Sequence, residues 1–288
     1  MTYDPPEVPF STLHVSSSLP RIVFGLVVPS AGSGKDERFD ELTAWMSDRA
    51  GVSIERRDAA SYESLANDVR EGRIDVGWLP PIVYVRLGDV VKPLGSILRG
   101  REGERPGYEA ALVVQKDSKI RTIDALRGTR AGWVDRWSAA GFVLPRVKLA
   151  LLGVDPRTLF RTETFHGSHR SAIKALLAGA CDVAGTFATA DKTGNVTTGA
   201  WSEIEGAEVR VLATFGAIPP DVFAVRSVVA DRVGDKVFTA LKAAAADPVM
   251  QQKLTLAFGG NEIVEGLAPG YDSLKKALEM AAARGIFD

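Results

Sequence analysis

The feature that most restricts the fold of this chain is a strand–helix alternation that occurs twice. The first run extends from a strand-like segment at 22–28 to another at 108–114, and the second begins after residues 117–118 and continues to 222–225. Such alternation is typical of α/β proteins in which a mostly parallel sheet carries helices on both faces. We therefore predict two α/β lobes with a cleft at the carboxyl ends of their strands, where open sheets bind ligands.

The order of the segments predicts which parts of the chain form each lobe. Residues 1–20 are rich in Pro and Ser and have no regular period, so we expect an extended N-terminal arm. Residues 21–113 together with 214–288 are expected to form lobe 1, which is discontinuous, and residues 114–213 are expected to form lobe 2. Two crossings of the chain would then act as a hinge.

Several connecting segments have clear signals of their own. A strand is expected to end near Leu79 because two prolines follow it, and proline cannot continue a central strand. The charged, Gly-rich segment 100–106 is predicted to be a surface loop, and the polar segment 190–206 a connection. Three helices with regular apolar spacing are predicted to end the chain.

A candidate anion site lies in the segment 135–146, DRWSAAGFVLPR, between a strand-like run and a helical pattern. Its four central positions would form a helix start, where unpaired N–H groups and the positive end of the helix dipole attract anions. The serine has an ordinary alternative role, since serine is also a common N-cap. The four positions are Ser138, Ala139, Ala140 and Gly141.

A second glycine-rich turn, at 29–35, superficially resembles a phosphate loop. The nucleotide-binding motif requires Gly where Pro29 stands and Ser or Thr where Asp36 stands, which argues against a nucleotide site. A flexible turn from strand to helix fits better. Its Ser30 is a candidate for lining the cleft.

Composition excludes several classes of function. The chain of 288 residues has 35 Lys and Arg against 36 Asp and Glu, with no basic block, so neither a nucleic-acid surface nor a membrane-inserting segment is expected. One cysteine, Cys181, cannot form an internal disulfide, and three dispersed histidines do not have the spacing of a metal site. We expect no metal and no cofactor.

The N-terminal residues leave the location open. Acidic residues and prolines stand where a secretion signal would have basic residues and then an apolar run, and no window approaches about 18 apolar residues. The expectation is a cytoplasmic protein as written, or a periplasmic or cell-envelope protein whose leader was removed.

Five blocks in order carry a resemblance to a known family. They are SYESLANDVREGRIDVGWL at 61–79, PGYEAALVVQKDSKI at 106–120, VDRWSAAGFVLPR at 134–146, GSHRSAIKALLAGACDVAG at 167–185 and IPPDVFAV at 218–225. Together they resemble the phosphate/phosphonate-binding family of solute receptors, across about residues 22–275. The resemblance implies a type II periplasmic-binding fold and a monomer that captures a small anion for an ABC permease.

The resemblance also implies individual ligand contacts. In that family the anion rests on the helix start matching 138–141, and further contacts match Tyr62, Tyr108, His169 and Asp221. Tyrosine hydroxyls and a histidine N–H can donate to an oxyanion, while Asp221 can accept the proton of a monoprotonated oxyanion or bind an amine. Each residue also has an ordinary structural role, such as packing, a first helical turn or a turn aspartate.

Departures from the family affect the expected ligand. The family usually has Ser-Thr-Ser where this chain has Ser-Ala-Ala, so two hydroxyl donors are missing. Either the anion binds more weakly, or the pocket accepts a carboxylate or another group. The acidic residue that holds the amino group of aminoalkylphosphonates would fall near Thr189, which disfavours those ligands. Leu79, Trp137 and Thr189 are further candidates for lining the cleft.

Two other functions use the same fold. A cytosolic ligand sensor could reuse the two-lobed clamp, and an enzyme could resemble the cytosolic menaquinone-pathway enzymes. Ser138, His169 and Asp221 are residue types of a hydrolytic triad, but the Gly-x-Ser-x-Gly motif is absent. We therefore expect binding and assign no catalytic residue.

Overall fold

The computed structural model describes residues 19–27, 37–99 and 107–287. Three predictions fall wholly or mostly outside these residues: the extended arm at 1–20, the turn that contains Ser30, and the surface loop at 100–106.

Strands and helices alternate along the chain, as predicted. Among the described residues the strands are β1 (Arg21–Val27), β2 (Ser53–Ala59), β3 (Val76–Leu79), β4 (Val91–Arg99), β5 (Tyr108–Gln115), β6 (Arg130–Trp133), β7 (Thr162–Phe165), β8 (Val183–Ala190), β9 (Val196–Gly199), β10 (Val209–Ile218), β11 (Val222–Arg226) and β12 (Gly260–Glu265). The α-helices are α1 (Glu37–Ala50), α2 (Tyr62–Arg70), α3 (Pro81–Leu87), α4 (Leu144–Leu151), α5 (Pro156–Leu159), α6 (His169–Leu177), α7 (Ala230–Ala246), α8 (Pro248–Phe258) and α9 (Tyr271–Ala283).

Two sheets define two lobes, which confirms the two-lobed α/β prediction. The first sheet has the strand order β12-β4-β11-β3-β1-β2, and the second has the order β10-β5-β8-β6-β7, with β9 paired to β8. Aromatic rings fill the core of the first lobe, where Phe24, Phe223 and Phe258 contact one another. In the second lobe Trp133 packs edge to face against Phe142.

The sheets are mixed, which corrects the expectation of mostly parallel strands. In the first sheet β1 pairs in parallel with β2 and β3, whereas β11 is antiparallel to both of its neighbours. In the second sheet β6 is parallel to β7 and β8, and β5 is antiparallel to β8 and β10. The parallel pairs belong to strand–helix–strand units, while β5 and β11 enter their sheets from the other lobe in the opposite direction.

The strand pairing also shifts the places where the chain passes between lobes. The predicted boundaries at 113/114 and 213/214 fall inside β5 and β10, and these two strands pair with each other from end to end in the second sheet. By strand pairing, the chain therefore passes from the first sheet to the second between β4 and β5 and returns between β10 and β11. Apolar periodicity could not reveal this, because it shows that a strand is buried but not in which sheet.

The last helix, α9, contacts both lobes, although it was expected in lobe 1 alone. Near its start, the ring of Tyr271 packs against that of Tyr84 in α3, with centroids 5.2 Å apart. Farther along, Leu278 joins the core cluster of the second lobe. After the helix ends, the carbonyl of Ile286 accepts a hydrogen bond from Arg146 Nε of α4 at 3.2 Å. The chain therefore joins the lobes a third time through packing.

Among the described strands and α-helices, four short ones were not predicted. They are α3, α5, β9 and β12, and β9 lies within the segment 190–206 that we expected to be a connection. Pro81 follows the end of β3 and is the first residue of α3. Proline suits this position because the N–H of the first helical residue has no partner within the helix and the fixed φ of proline matches the helix. No helix within 37–99 or 107–287 is both long and apolar enough to cross a bilayer.

Candidate functional site

The predicted anion turn is a helix start in the structure. Ser138 is the N-cap, and its Oγ accepts a hydrogen bond from the Gly141 N–H at 3.0 Å. One π-helical turn, Ala139–Val143, then continues into α4. The N–H groups of Ala139 and Ala140 come before the helical hydrogen bonds begin. These two amides are therefore the donors that the helix start can offer to an anion.

The turn is packed closely against β8. A Cβ atom added to Gly141 would lie 2.2 Å from Val134 Cγ2, and one added to Gly185 would lie 2.7 Å from the Gly141 carbonyl oxygen. Glycine is thus required at both positions, because there is no room for a side chain. Ala139 and Ala140 are only 5% and 2% exposed and belong to the core cluster of the second lobe.

Tyr108 and Asp221 form a buried pair at the crossings between the lobes. The Tyr108 hydroxyl donates to Asp221 Oδ1 at 3.3 Å, and both residues are less than 10% exposed. Tyr271 holds the backbone next to this pair, because its hydroxyl donates to the carbonyl of Pro220, the residue before Asp221, at 2.7 Å. Burial, and then the nearby charge of Asp221, raise the pKa of Tyr271 well above its usual value, so it stays a neutral donor.

His169 lies at the start of α6, where Ser168 is the N-cap. Its Nδ1 is 3.1 Å from the hydroxyl oxygen of Thr186 on β8. The edge of its ring packs against Phe187, with centroids 5.0 Å apart, and Phe187 in turn contacts Tyr108 at 6.1 Å. The ring of Phe187 therefore packs against two of the predicted site residues, His169 and Tyr108.

Tyr62 begins α2 in the first lobe, and its backbone N–H lies near the carboxyl group of Asp135 in the second lobe. That carboxyl group accepts a hydrogen bond from the Trp137 N–H at 2.7 Å. Burial of Asp135, and then the neighbouring charge of Glu63, raise the pKa of this carboxyl group. A carboxyl group of the second lobe thus lies close to the start of α2 in the first lobe.

Trp137 makes a second contact between the lobes. The guanidinium carbon of Arg86, in α3, lies 4.2 Å from the centre of its ring. The same side chain packs against the core clusters of both lobes. Trp137 therefore lies between the lobes, and its role in lining the cleft stays a prediction.

The structure brings most of the predicted residues to one region. The turn at 138–141 packs on β8, which also carries the partners of His169, and β5 places Tyr108 beside Asp221. Of the candidate lining residues, Leu79 is fully buried in the first lobe, so its side chain is part of the core. Thr189 Oγ1 forms hydrogen bonds with the hydroxyl groups of two threonines in β9. Ser30 lies outside the described residues.

Sequence reasoning missed four residues of this region: Thr186, Phe187, Asp135 and Tyr271. Thr186 and Phe187 lie in a strand that was predicted correctly, but their contacts come from β5 and α6. For Asp135 a local signal existed, because an aspartate readily accepts a hydrogen bond from the backbone N–H two residues further on, here that of Trp137.

No group of three or more His, Cys, Asp or Glu side chains within the described ranges could hold a metal ion. Cys181 is buried, and burial raises the pKa of its thiol to about 11. The thiol is therefore protonated at neutral pH and is a poor nucleophile.

The two α/β lobes and the helix start between them define the class of type II periplasmic-binding proteins. The profile of the family described as "ABC transporter, phosphonate, periplasmic substrate-binding protein" matches residues 26–267, and the chain belongs to this family.

Individual relatives agree with this assignment. The phosphate-import protein PhnD of Mycolicibacterium smegmatis is 26% identical over 212 residues, which span 70% of this chain and 64% of that protein. The binding protein of an ABC phosphonate transporter from Pseudomonas aeruginosa has a TM-score of 0.76 at 19% identity, covering 92% of this chain and 87% of that one. PhnD1 of Prochlorococcus marinus, solved with methylphosphonate, has a TM-score of 0.72 at 15% identity, covering 91% and 98%. At these identities the two structures show the shared fold.

Proposed function

We propose that this protein captures a small oxyanion, a phosphonate or phosphate, between its lobes and delivers it to an ABC permease. The observation that carries the proposal is the convergence of a helix start with the Tyr108–Asp221 pair and His169 in a largely buried region. Buried polar groups converging on one place are typical of a ligand site. The family, whose members are binding proteins of transporters, supports the same function.

The polar groups of the site suit a monoprotonated anion. The amides at 139–140 and an imidazole N–H can donate to oxyanion oxygens, and the Tyr108 hydroxyl can do so when its single O–H turns from Asp221 to the ligand. Asp221 can accept the proton of a hydrogen phosphate or a monoprotonated phosphonate. Sulfate has no proton to give at neutral pH, so it would bring its charge against the Asp221 carboxylate.

A hydrolytic role finds no support in the contacts of the candidate triad. Ser138 Oγ accepts from the Gly141 N–H, and His169 Nδ1 contacts Thr186, so these contacts do not align Ser138 with His169. Asp221 is paired with Tyr108 instead. Together with the family, these contacts favour capture over catalysis.

Calorimetric titration with methylphosphonate, phosphate, sulfate and acetate tests the proposal. We expect the two phosphorus anions to bind and sulfate to bind at least tenfold more weakly. Saturation at about 100 times the dissociation constant would add roughly 2.7 kcal/mol to the free energy of unfolding, which a thermal melt detects. If neither phosphorus anion binds while acetate or sulfate does, the proposed ligand class is wrong.

The partner, the assembly and the location are part of the proposal. We propose a monomer that works in the periplasm or cell envelope and docks on a permease when its lobes close. Light scattering after size exclusion measures the mass of the purified protein, and fractionation of cells locates it. A stable dimer or a cytoplasmic pool without an envelope fraction would contradict these points.

A further inference from the structure

Thr186 holds the imidazole of His169 from inside the second lobe. The residue is 0% exposed on β8, where it pairs with Ala111 of β5. Its hydroxyl oxygen lies 3.1 Å from His169 Nδ1, and among the described residues this is the one hydrogen bond of the Thr186 side chain. A buried hydroxyl group and a ring nitrogen therefore depend on each other.

The burial of the hydroxyl group decides the direction of this hydrogen bond. If Nδ1 carried a proton and donated it to Thr186, the buried threonine O–H would be left without an acceptor in the described part of the chain. Native structures avoid such unpaired buried donors. The threonine O–H therefore donates to Nδ1, and Nδ1 is the acceptor.

The direction of the bond fixes the tautomer. A neutral imidazole has one donor and one acceptor nitrogen, so an accepting Nδ1 places the proton on Nε2. Nε2–H can donate to an oxyanion, whereas an unprotonated Nε2 would present a lone pair to it. The edge contact with Phe187 further restricts the orientation of the ring.

We propose that Thr186 is a positioning residue, which sets His169 as an Nε2–H donor in the ligand site. The inference rests on the proposed function of that site, but the tautomer exists with or without a ligand. Serine at this position would keep the role, because it keeps the hydroxyl group. Valine, which has nearly the same shape, would remove it.

The first test is nitrogen-15 NMR of the histidine side chains in the ligand-free protein, with His169→Gln to assign the signals. In the wild type we expect His169 to carry its proton on Nε2, and in Thr186→Val we expect a mixture of tautomers. Thr186→Ser should match the wild type. A wild-type His169 with its proton on Nδ1, or an unchanged tautomer in Thr186→Val, would overturn the proposal.

The second test is calorimetry with methylphosphonate. Thr186→Val should weaken binding in inverse proportion to the fraction of His169 that keeps its proton on Nε2, by about twofold for an equal mixture, and Thr186→Ser should restore it. In a His169→Ala background, Thr186→Val should have no further effect, because the two residues act as a unit. An equal loss in that background, or failure of Thr186→Ser to restore binding, would show a merely structural role.

A matched control separates positioning from loss of a buried hydroxyl group. Thr43 is also buried, and its hydroxyl donates within α1, away from the site, so Thr43→Val should leave both binding and the tautomer unchanged. If the wild type does not bind methylphosphonate, the proposed ligand class fails. The NMR result then still decides the role of Thr186.

Discussion

At the scale of single residues, the Tyr108–Asp221 pair is the most direct means of testing the ligand site. Tyr108→Phe removes a donor and keeps the ring that contacts Phe187. We expect affinity for methylphosphonate to fall by about ten- to a hundredfold, because a hydrogen bond to a charged group contributes roughly 1.5–3 kcal/mol. Calorimetry measures the change, and Tyr84→Phe makes the same substitution outside the site as a control. Equal affinities for both variants would remove Tyr108 from the site.

The two alanines of the turn give a second prediction at this scale. Ala139→Thr/Ala140→Ser restores the hydroxyl groups typical of the family, but both methyl groups lie in the core of the second lobe. We expect the larger side chains to weaken binding of the best ligand and to lower the free energy of unfolding by about 1–3 kcal/mol. Titration of phosphate and methylphosphonate, with urea unfolding in parallel, measures both effects. A gain in phosphate affinity at unchanged stability would show that the alanines had merely lost donors.

At the scale of elements, α2 of the first lobe meets Asp135 of the second, and this contact predicts a pH dependence. Because burial raises the folded-state pKa of Asp135 above its unfolded value, its charge destabilises the folded protein at neutral pH. This destabilisation disappears as the pH falls below the folded-state pKa toward 3.8, the usual pKa of an aspartate, because the carboxyl group is then protonated in the folded protein. We expect Asp135→Asn to unfold at higher denaturant concentration than the wild type at pH 7, with a smaller difference at pH 4. Glu63→Gln removes a neighbouring charge that also raises the pKa of Asp135 and serves as the comparison variant.

The helix α9 gives a second prediction at the scale of elements. Leu278 is a buried residue of α9 within the core cluster of the second lobe. Leu278→Ala should lower the free energy of unfolding by about 2–5 kcal/mol through the cavity that it leaves. Met280 lies half exposed on the same helix, and Met280→Ala should cost much less. If urea unfolding showed similar losses in the free energy of unfolding for both variants, α9 would not hold the lobes together.

The elements also show how far sequence reasoning reaches. The apolar spacing of α1 and the apolar run of β1 predicted both elements, because a 3.6-residue period follows from burying one face of a helix and a short apolar run is typical of a buried strand. These local patterns did not reveal that β5 and β10 belong to the second sheet or that α9 contacts both lobes. In the site, the helix start at 138–141 has a local signal, whereas Thr186 and Phe187 gain their roles only through strands and helices distant in sequence.

At the scale of the whole molecule, contacts between the lobes predict a closure that can be measured. Asp135 and Trp137 of the second lobe both contact the first lobe in this structure. If these contacts open in solution without ligand, methylphosphonate should reduce the radius of gyration measured by X-ray scattering. The contacts of α9 with both lobes should keep the change small. An unchanged radius with a proven ligand would indicate a rigid form that is closed in advance.

The buried Cys181 has a practical consequence for such measurements. It is the single cysteine of the chain, and its protonated, inaccessible thiol should not react with maleimide reagents under native conditions. Fluorescent dyes can therefore be attached to cysteines introduced at exposed positions, one on each lobe, without first replacing the native residue. Energy transfer between the dyes would then follow the lobes of individual molecules in real time.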